Sequence, residues 1–284
     1  MGETIELNPT ALRVAGHDGV GINVWDYGGE GPALVLAHCT GTHGRIWDPL
    51  VPALLPSFRV YAYDTRGHGD SDKPPDPKSY GWENSGMDLL AVIDALGLGA
   101  GVLAAGHSAG AAHICYAEMR RPGTFSRAVL LDPIIGPAET FRGPNPMAEK
   151  SRRRRNEFDN HDVAVRRFAS KPPMNAWAPE ALEAYVRFGT FEQADGRIRL
   201  KCPGEIEAAV YEGGGTSEVY EHLGELKLHV TLVVAENSHV RTLAELQRER
   251  FSSVDFKLIG DCSHFIPQEK PDEIAALILE ALES

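Results

Sequence analysis

Residues 106–110 read Gly-His-Ser-Ala-Gly, a serine with a glycine two places away on each side. The apolar run GVLAA leads into this stretch and AGAAHICYAEMRR follows it. The setting is therefore strand, turn, helix, the context in which G-x-S-x-G forms a nucleophile elbow. A strand that turns directly into a helix leaves no room for side chains beside the turn residue, which accounts for both glycines. Ser108 then stands at a helix N-terminus, where free N–H groups and the helix dipole favour developing negative charge. A serine hydroxyl is a poor nucleophile at neutral pH. It needs a base to take its proton and return it to the leaving group, and a carboxylate to orient that base and balance its charge.

The elements that must position Ser108 are legible as short apolar runs bounded by turn signals. PALVLAH (32–38) and FRVYAYD (58–64) read as buried parallel strands, preceded by a hairpin turning at His17-Asp18-Gly19. Helical spacing over 85–96 stops at Gly97, GVLAAG is the next strand, and the helix after Ser108 closes at Pro122. RAVLLD (127–132), LHVTLVVAE (228–236) and VDFKLIG (254–260) continue the strands, and PDEIAALILEALE is an amphipathic C-terminal helix. This alternation predicts an α/β fold, a doubly wound and mostly parallel sheet. The rhythm breaks between Pro137 and Leu226, where polar, Pro-rich helical stretches carry Phe141, Phe158, Phe168, Trp177, Tyr185, Phe188 and Phe191. Residues 1–136 and 227–284 thus read as a core domain and 137–226 as a helical cap inserted over the sheet's C-terminal edge. Its aromatics either form a small core of their own or line a pocket.

Composition narrows the function classes. The 284 residues carry 28 Lys and Arg against 40 Asp and Glu, a net charge of −12, and 43% are hydrophobic. That is enough for a substantial core and argues against nucleic-acid or anionic-membrane binding, where a basic surface supplies most of the affinity. SRRRR at 151–155 is the one dense basic run and reads as a solvated helix face. Cys39, Cys115, Cys202 and Cys262 are scattered without CxxC or zinc spacing, which fits a reducing compartment. No signal peptide is apparent in MGETIELNPTALRV and no run approaches membrane-span length, so a cytoplasmic protein is expected.

Beyond the elbow, the chain resembles the α/β-hydrolase family. LVLAHCTGTHGRIWDPLVPAL is similar to that family's third strand and oxyanion loop, and VYAYDTRGHGDSDKP to its D-x-R-G-x-G-x-S segment. GDCSHFIPQEKPDEIAALILEAL matches its C-terminal segment, with a histidine just before the last helix. The resemblance implies His264 as general base, with the backbone amides of Ala109 and Thr40 as oxyanion donors. His43, His68 and His113 read as structural, as do His107, which points away from its neighbour Ser108, and His38, which fixes a loop. Most relatives have His-Gly where this chain has His38-Cys39, and a cysteine there narrows the allowed backbone angles. Asp64, Arg66 and Asp70 read as a structural hydrogen-bond network beside that loop.

The acid of the triad departs from the family pattern. Relatives mostly place an aspartate in the turn after the strand corresponding to LVVAENSHV, and here that position is Ser238. Two carboxylates can stand in. Asp132 closes the strand AVLLD, where a minority of the family carries its acid, and Ser108…Asp132…His264 keeps the usual chain order. Glu236 lies two residues before the usual site. Asp132 is preferred. The resulting expectation is a serine hydrolase acting on a small-molecule carboxylic ester, lactone or related acyl bond, with no cofactor and no metal. Epoxide hydrolases and haloalkane dehalogenases of this fold use an aspartate at the elbow, unlike Ser108. A C–C bond hydrolase or lyase on the same core, or a non-catalytic ligand receptor, are the alternatives.

Overall fold

The β-branched and small apolar runs pack side by side in a computed structural model of the protein, which describes residues 7–283. The first six residues, part of the stretch read for a leader, lie outside it. The first half of the chain supplies β1 (Thr10–Ala15), β2 (Gly21–Gly28), β3 (Ala33–Ala37), β4 (Arg59–Tyr63), β5 (Val102–His107) and β6 (Phe125–Leu131). Three short strands follow, β7 (Glu157–Phe158), β8 (Thr190–Glu192) and β9 (Ile198–Leu200), and then β10 (His229–Ala235) and β11 (Val254–Ile259). The main sheet has the order β1-β2-β4-β3-β5-β6-β10-β11. Only β1–β2 and β2–β4 pair antiparallel; every pair from β4 to β11 is parallel.

Both faces of this sheet are covered, so its central strands are apolar on both sides rather than alternating. Val35, Ala37, Ala104 and Leu130 face the helices Trp82–Ala95 and Ala109–Arg120. Leu34, Leu36, Ala105 and Leu131 face the opposite layer, which includes the C-terminal helix Pro271–Glu283. β4 lies on one side of β3 and β5 on the other, so the strand order reverses at β3. In open α/β sheets such a switch point leaves a crevice at the carboxyl ends of the strands, where ligands bind. The loop at 38–42 and Ser108 both sit there.

Between β6 and β10 the chain leaves the sheet. This stretch forms the helices Pro146–Arg152, His161–Ala169, Pro179–Gly189 and Gly204–Glu212, joined by the antiparallel sheet β7-β9-β8. That small sheet was not expected. Strands of two or three residues are too short to show an alternating pattern. The SRRRR run differs from its reading as well: the helix ends at Arg152, which pairs with Glu212 at 2.6 Å. Arg154 turns inward to Glu207 and donates to the Tyr185 hydroxyl at 2.6 Å. A buried carboxylate draws it off the surface. Phe158, Trp177 and Tyr185 are buried in the insertion.

Candidate active site

Ser108 follows β5 directly, with φ 56° and ψ −115°, a conformation that L-residues rarely adopt. Two glycines permit it. A Cβ on Gly106 would lie 2.6 Å from Ile114 and 2.8 Å from the Ala111 amide, and one on Gly110 would lie 2.2 Å from the Ala37 carbonyl oxygen. The elbow is fixed from β6, whose Leu131 carbonyl accepts the Ser108 amide at 2.9 Å. Ala109 opens the helix Ala109–Arg120, so its amide is among the first four that a helix leaves without an internal partner.

His264 reaches Ser108 from the loop after β11. Its Nε2 lies 2.9 Å from Ser108 Oγ and its Nδ1 2.6 Å from Asp132 Oδ2. Asp132, in the left-handed region at φ 47°, terminates β6 with its side chain fully buried. Its Oδ1 accepts the Ala235 amide at 3.0 Å, and its Oδ2 also accepts the hydroxyl of Ser238. The residue at the family's usual acid position thus donates to the carboxylate that stands beside the histidine. Glu236 points elsewhere. Its Oε2 accepts the Asp261 amide at 3.2 Å, bracing the loop that leads to His264 without touching the imidazole.

Thr40 lines the same cavity of about 460 Å³ as Ser108 and His264. Among the described residues its amide has no hydrogen-bond partner, and its buried Oγ1 has none either. The loop is held from both sides: His38 accepts the Thr65 amide at 3.0 Å on Nε2 and bonds the Cys39 carbonyl at 2.8 Å through Nδ1, while His68 accepts the Gly41 amide at 3.0 Å. Cys39 keeps its φ outside the left-handed region, which here is taken by Gly41 at 82°. Cysteine at that place therefore adds no backbone strain. Burial also pushes the Cys39 thiol up to about 12, so it is no competing nucleophile.

The model of the "Alpha/beta hydrolase family" matches residues 34–277. The chain belongs to this family. Lipase LipV of Mycobacterium tuberculosis (strain ATCC 25618 / H37Rv) is 29% identical to this hydrolase over 272 residues, covering 93% of this chain and 98% of the lipase. Soluble epoxide hydrolase of Corynebacterium sp. (strain C12) is 27% identical over 265 residues, 86% of this chain and 87% of that protein. Among solved structures, E-2-(acetamidomethylene)succinate hydrolase superposes with a TM-score of 0.82 at 21% identity, over 98% of this chain and 100% of that one, a likeness of fold.

Of the other polar groups of this hydrolase, His107, Asp64 and Arg66 have structural partners. His107 donates Nε2–H to the His264 carbonyl at 2.8 Å and lies ring to ring with the His264 imidazole at 5.0 Å. Burial, helped by the neighbouring His264, holds His107 well below the usual imidazole range, so it stays neutral. His239 lies edge-on to His264 at 5.0 Å and lines the cavity; nothing in its sequence context signals that contact. Asp64 accepts the amides of Gly44 at 2.6 Å and Asp70 at 2.9 Å, whereas Arg66 forms a separate buried pair with Asp88 at 2.7 Å. Among the described residues no group of three or more His, Cys, Asp or Glu is placed to hold a metal ion, and no helix is long and apolar enough to cross a membrane.

Proposed function

We propose that this hydrolase is a serine esterase-type enzyme that cleaves a carboxylic ester, lactone or related acyl bond through an acyl-enzyme. The observation that carries this reading is the unbroken hydrogen-bonded line from Ser108 Oγ through His264 to Asp132, at 2.9 and 2.6 Å. His264 Nε2 takes the Ser108 proton as Oγ bonds to the acyl carbon. The amides of Thr40 and Ala109 receive the negative charge that develops on the carbonyl oxygen. Asp132 keeps the proton of neutral His264 on Nδ1, leaving Nε2 free to accept, and offsets the imidazolium charge. When the tetrahedral adduct collapses, His264 returns the proton to the leaving oxygen. Water then attacks the acyl-serine by the same exchange in reverse, giving the carboxylic acid and free Ser108. No step calls on a cofactor or metal.

Residues 137–226 act as a cap in this reading, enclosing a small-molecule acyl substrate over the core. A cavity of about 460 Å³ suits such a ligand. A serine at the elbow and a full-length likeness to a protein named a lipase favour acyl transfer over epoxide opening. A fluorophosphonate probe should label the wild-type protein and leave Ser108→Ala unlabelled. Folded wild-type protein that takes no label would overturn the assignment and leave the ligand-receptor reading. Short- and long-chain p-nitrophenyl esters then measure the acyl pocket.

A further inference from the structure

A second cavity, of about 490 Å³, adjoins the first and shares Thr40, Met147, Tyr211 and Phe265 with it. Its apolar wall is a ring cluster: Phe168 lies 5.2 Å from Phe158 and 5.4 Å from Tyr185, and Trp177 lies 5.6 Å from Tyr185. Its charged lining is almost wholly cationic. The one acid, Glu207, is engaged by Arg154, and Arg153 and Arg155 lie 3.5 and 3.8 Å from Glu149 and Asp159. Lys150, Arg167 and Lys171 are exposed, line the same cavity and have no carboxylate partner among the described residues.

The local balance runs against that of the whole. Residues 142–171 hold nine Lys and Arg against four Asp and Glu, a net of +5 in a chain of −12. Solvation alone does not require three unpaired cations around one aromatic-walled opening. In a predominantly negative molecule, a locally positive opening is a place where an anionic ligand is drawn in. Ammonium and guanidinium groups bind carboxylate and phosphate oxygens by charge-assisted hydrogen bonds. The rings that line the same cavity offer apolar contact. We infer that the substrate carries an anionic group at the far end of an apolar arm, held by Lys150, Arg167 and Lys171 while its acyl carbon meets Ser108. The identity of the reacting bond rests on the acyl-hydrolase reading above; the anion site does not.

Binding to Ser108→Ala separates the two. Titration calorimetry with monomethyl suberate, whose free end is a carboxylate, is compared with dimethyl suberate, which has none. The half ester should bind about tenfold more tightly, three rim contacts each being worth a fraction of a kcal/mol. That preference should collapse as salt rises from about 0.01 M to about 1 M, which shortens the screening length from about 30 Å to about 3 Å. It should also vanish in the variant Lys150→Gln/Arg167→Gln/Lys171→Gln, which must still bind the diester as wild type does. A matched methyl ester ending in a phosphate tells the sources apart: tighter binding than the half ester assigns a phosphoryl group, weaker binding a carboxylate. Equal binding of half ester and diester, or a preference that survives the triple variant, overturns the inference. If Ser108→Ala prefers the half ester but wild type hydrolyses neither ester, the acyl-hydrolase reading fails and the anion site stands.

Discussion

Asp132 accepts hydrogen bonds from an amide, a hydroxyl and an imidazole, so both of its carboxylate oxygens are engaged. Asp132→Asn should lower kcat on a p-nitrophenyl ester about 10⁴-fold, since an amide presents the wrong group to the imidazole N–H. Glu236→Gln should leave kcat within about twofold, because an exposed brace can still accept the Asp261 amide. Ser238→Ala is intermediate. Losing a hydrogen bond to a charged group costs about 1.5–3 kcal/mol, so roughly a tenfold or larger fall in kcat with little change in KM is expected. Steady-state kinetics on the three variants check all of these, and a larger loss in Glu236→Gln than in Asp132→Asn would reverse the assignment. At this scale the candidate nucleophile, base and acid, Ser108, His264 and Asp132, were legible because each closes a recognisable strand or precedes the last helix. Ser238 was legible only as a missing aspartate. Its hydroxyl role depends on β6 and β10 being neighbours, which no local pattern states.

At the scale of elements, the elbow is a three-body contact between β5, its following helix and the end of β3. Gly110→Ala should destabilise the fold by about 3 kcal/mol or more, since the added methyl meets the Ala37 carbonyl at 2.2 Å and backbone has nowhere to go. Gly215→Ala, with nothing within 4 Å, should stay within about 0.5 kcal/mol. Urea midpoints of the two variants give the comparison, and equal midpoints would refute the packing argument. Elements with strong runs were legible to within a few residues: 58–64 against Arg59–Tyr63, 228–236 against His229–Ala235. The insertion was not, because its short strands and inward-turning Arg154 answer to partners far along the chain. Its aromatics serve both roles left open: Phe158, Trp177 and Tyr185 are buried and also line the second cavity.

The whole molecule buries an unusual set of imidazoles. His38, His43, His68, His107 and His113 are all held below the usual range, chiefly by desolvation, with His43 near 4 and His113 near 3. The unfolded chain takes up these protons below its ordinary value of 6.5, and the folded protein does so only at the lower ones. Stability is therefore full above pH 6.5 and lost as pH falls toward 4, by about 1.4 kcal/mol per pH unit for each histidine. His239, also lowered by burial, acts in the same direction, and Asp88, whose burial raises its carboxyl, opposes all six. Thermal unfolding should show Tm dropping steeply between pH 7 and pH 5; a flat profile would refute it. Net charge, sheet class and a break between β6 and β10 were readable from sequence, whereas this acid lability arises only once the fold has dried those rings.

Ser108 and Asp132 close neighbouring strands, and the ladder runs on through both: the Ser108 amide bonds Leu131, and the Asp132 amide bonds Val233 at 2.7 Å. Two of the three candidate triad residues are thus rivets in one plate. His264 rides a loop instead, pinned at its own carbonyl by His107, at the Ser263 amide by Glu269 and at the Asp261 amide by Glu236. In the reading proposed above, the hold on that loop sets how well His264 stays aligned between Ser108 and Asp132.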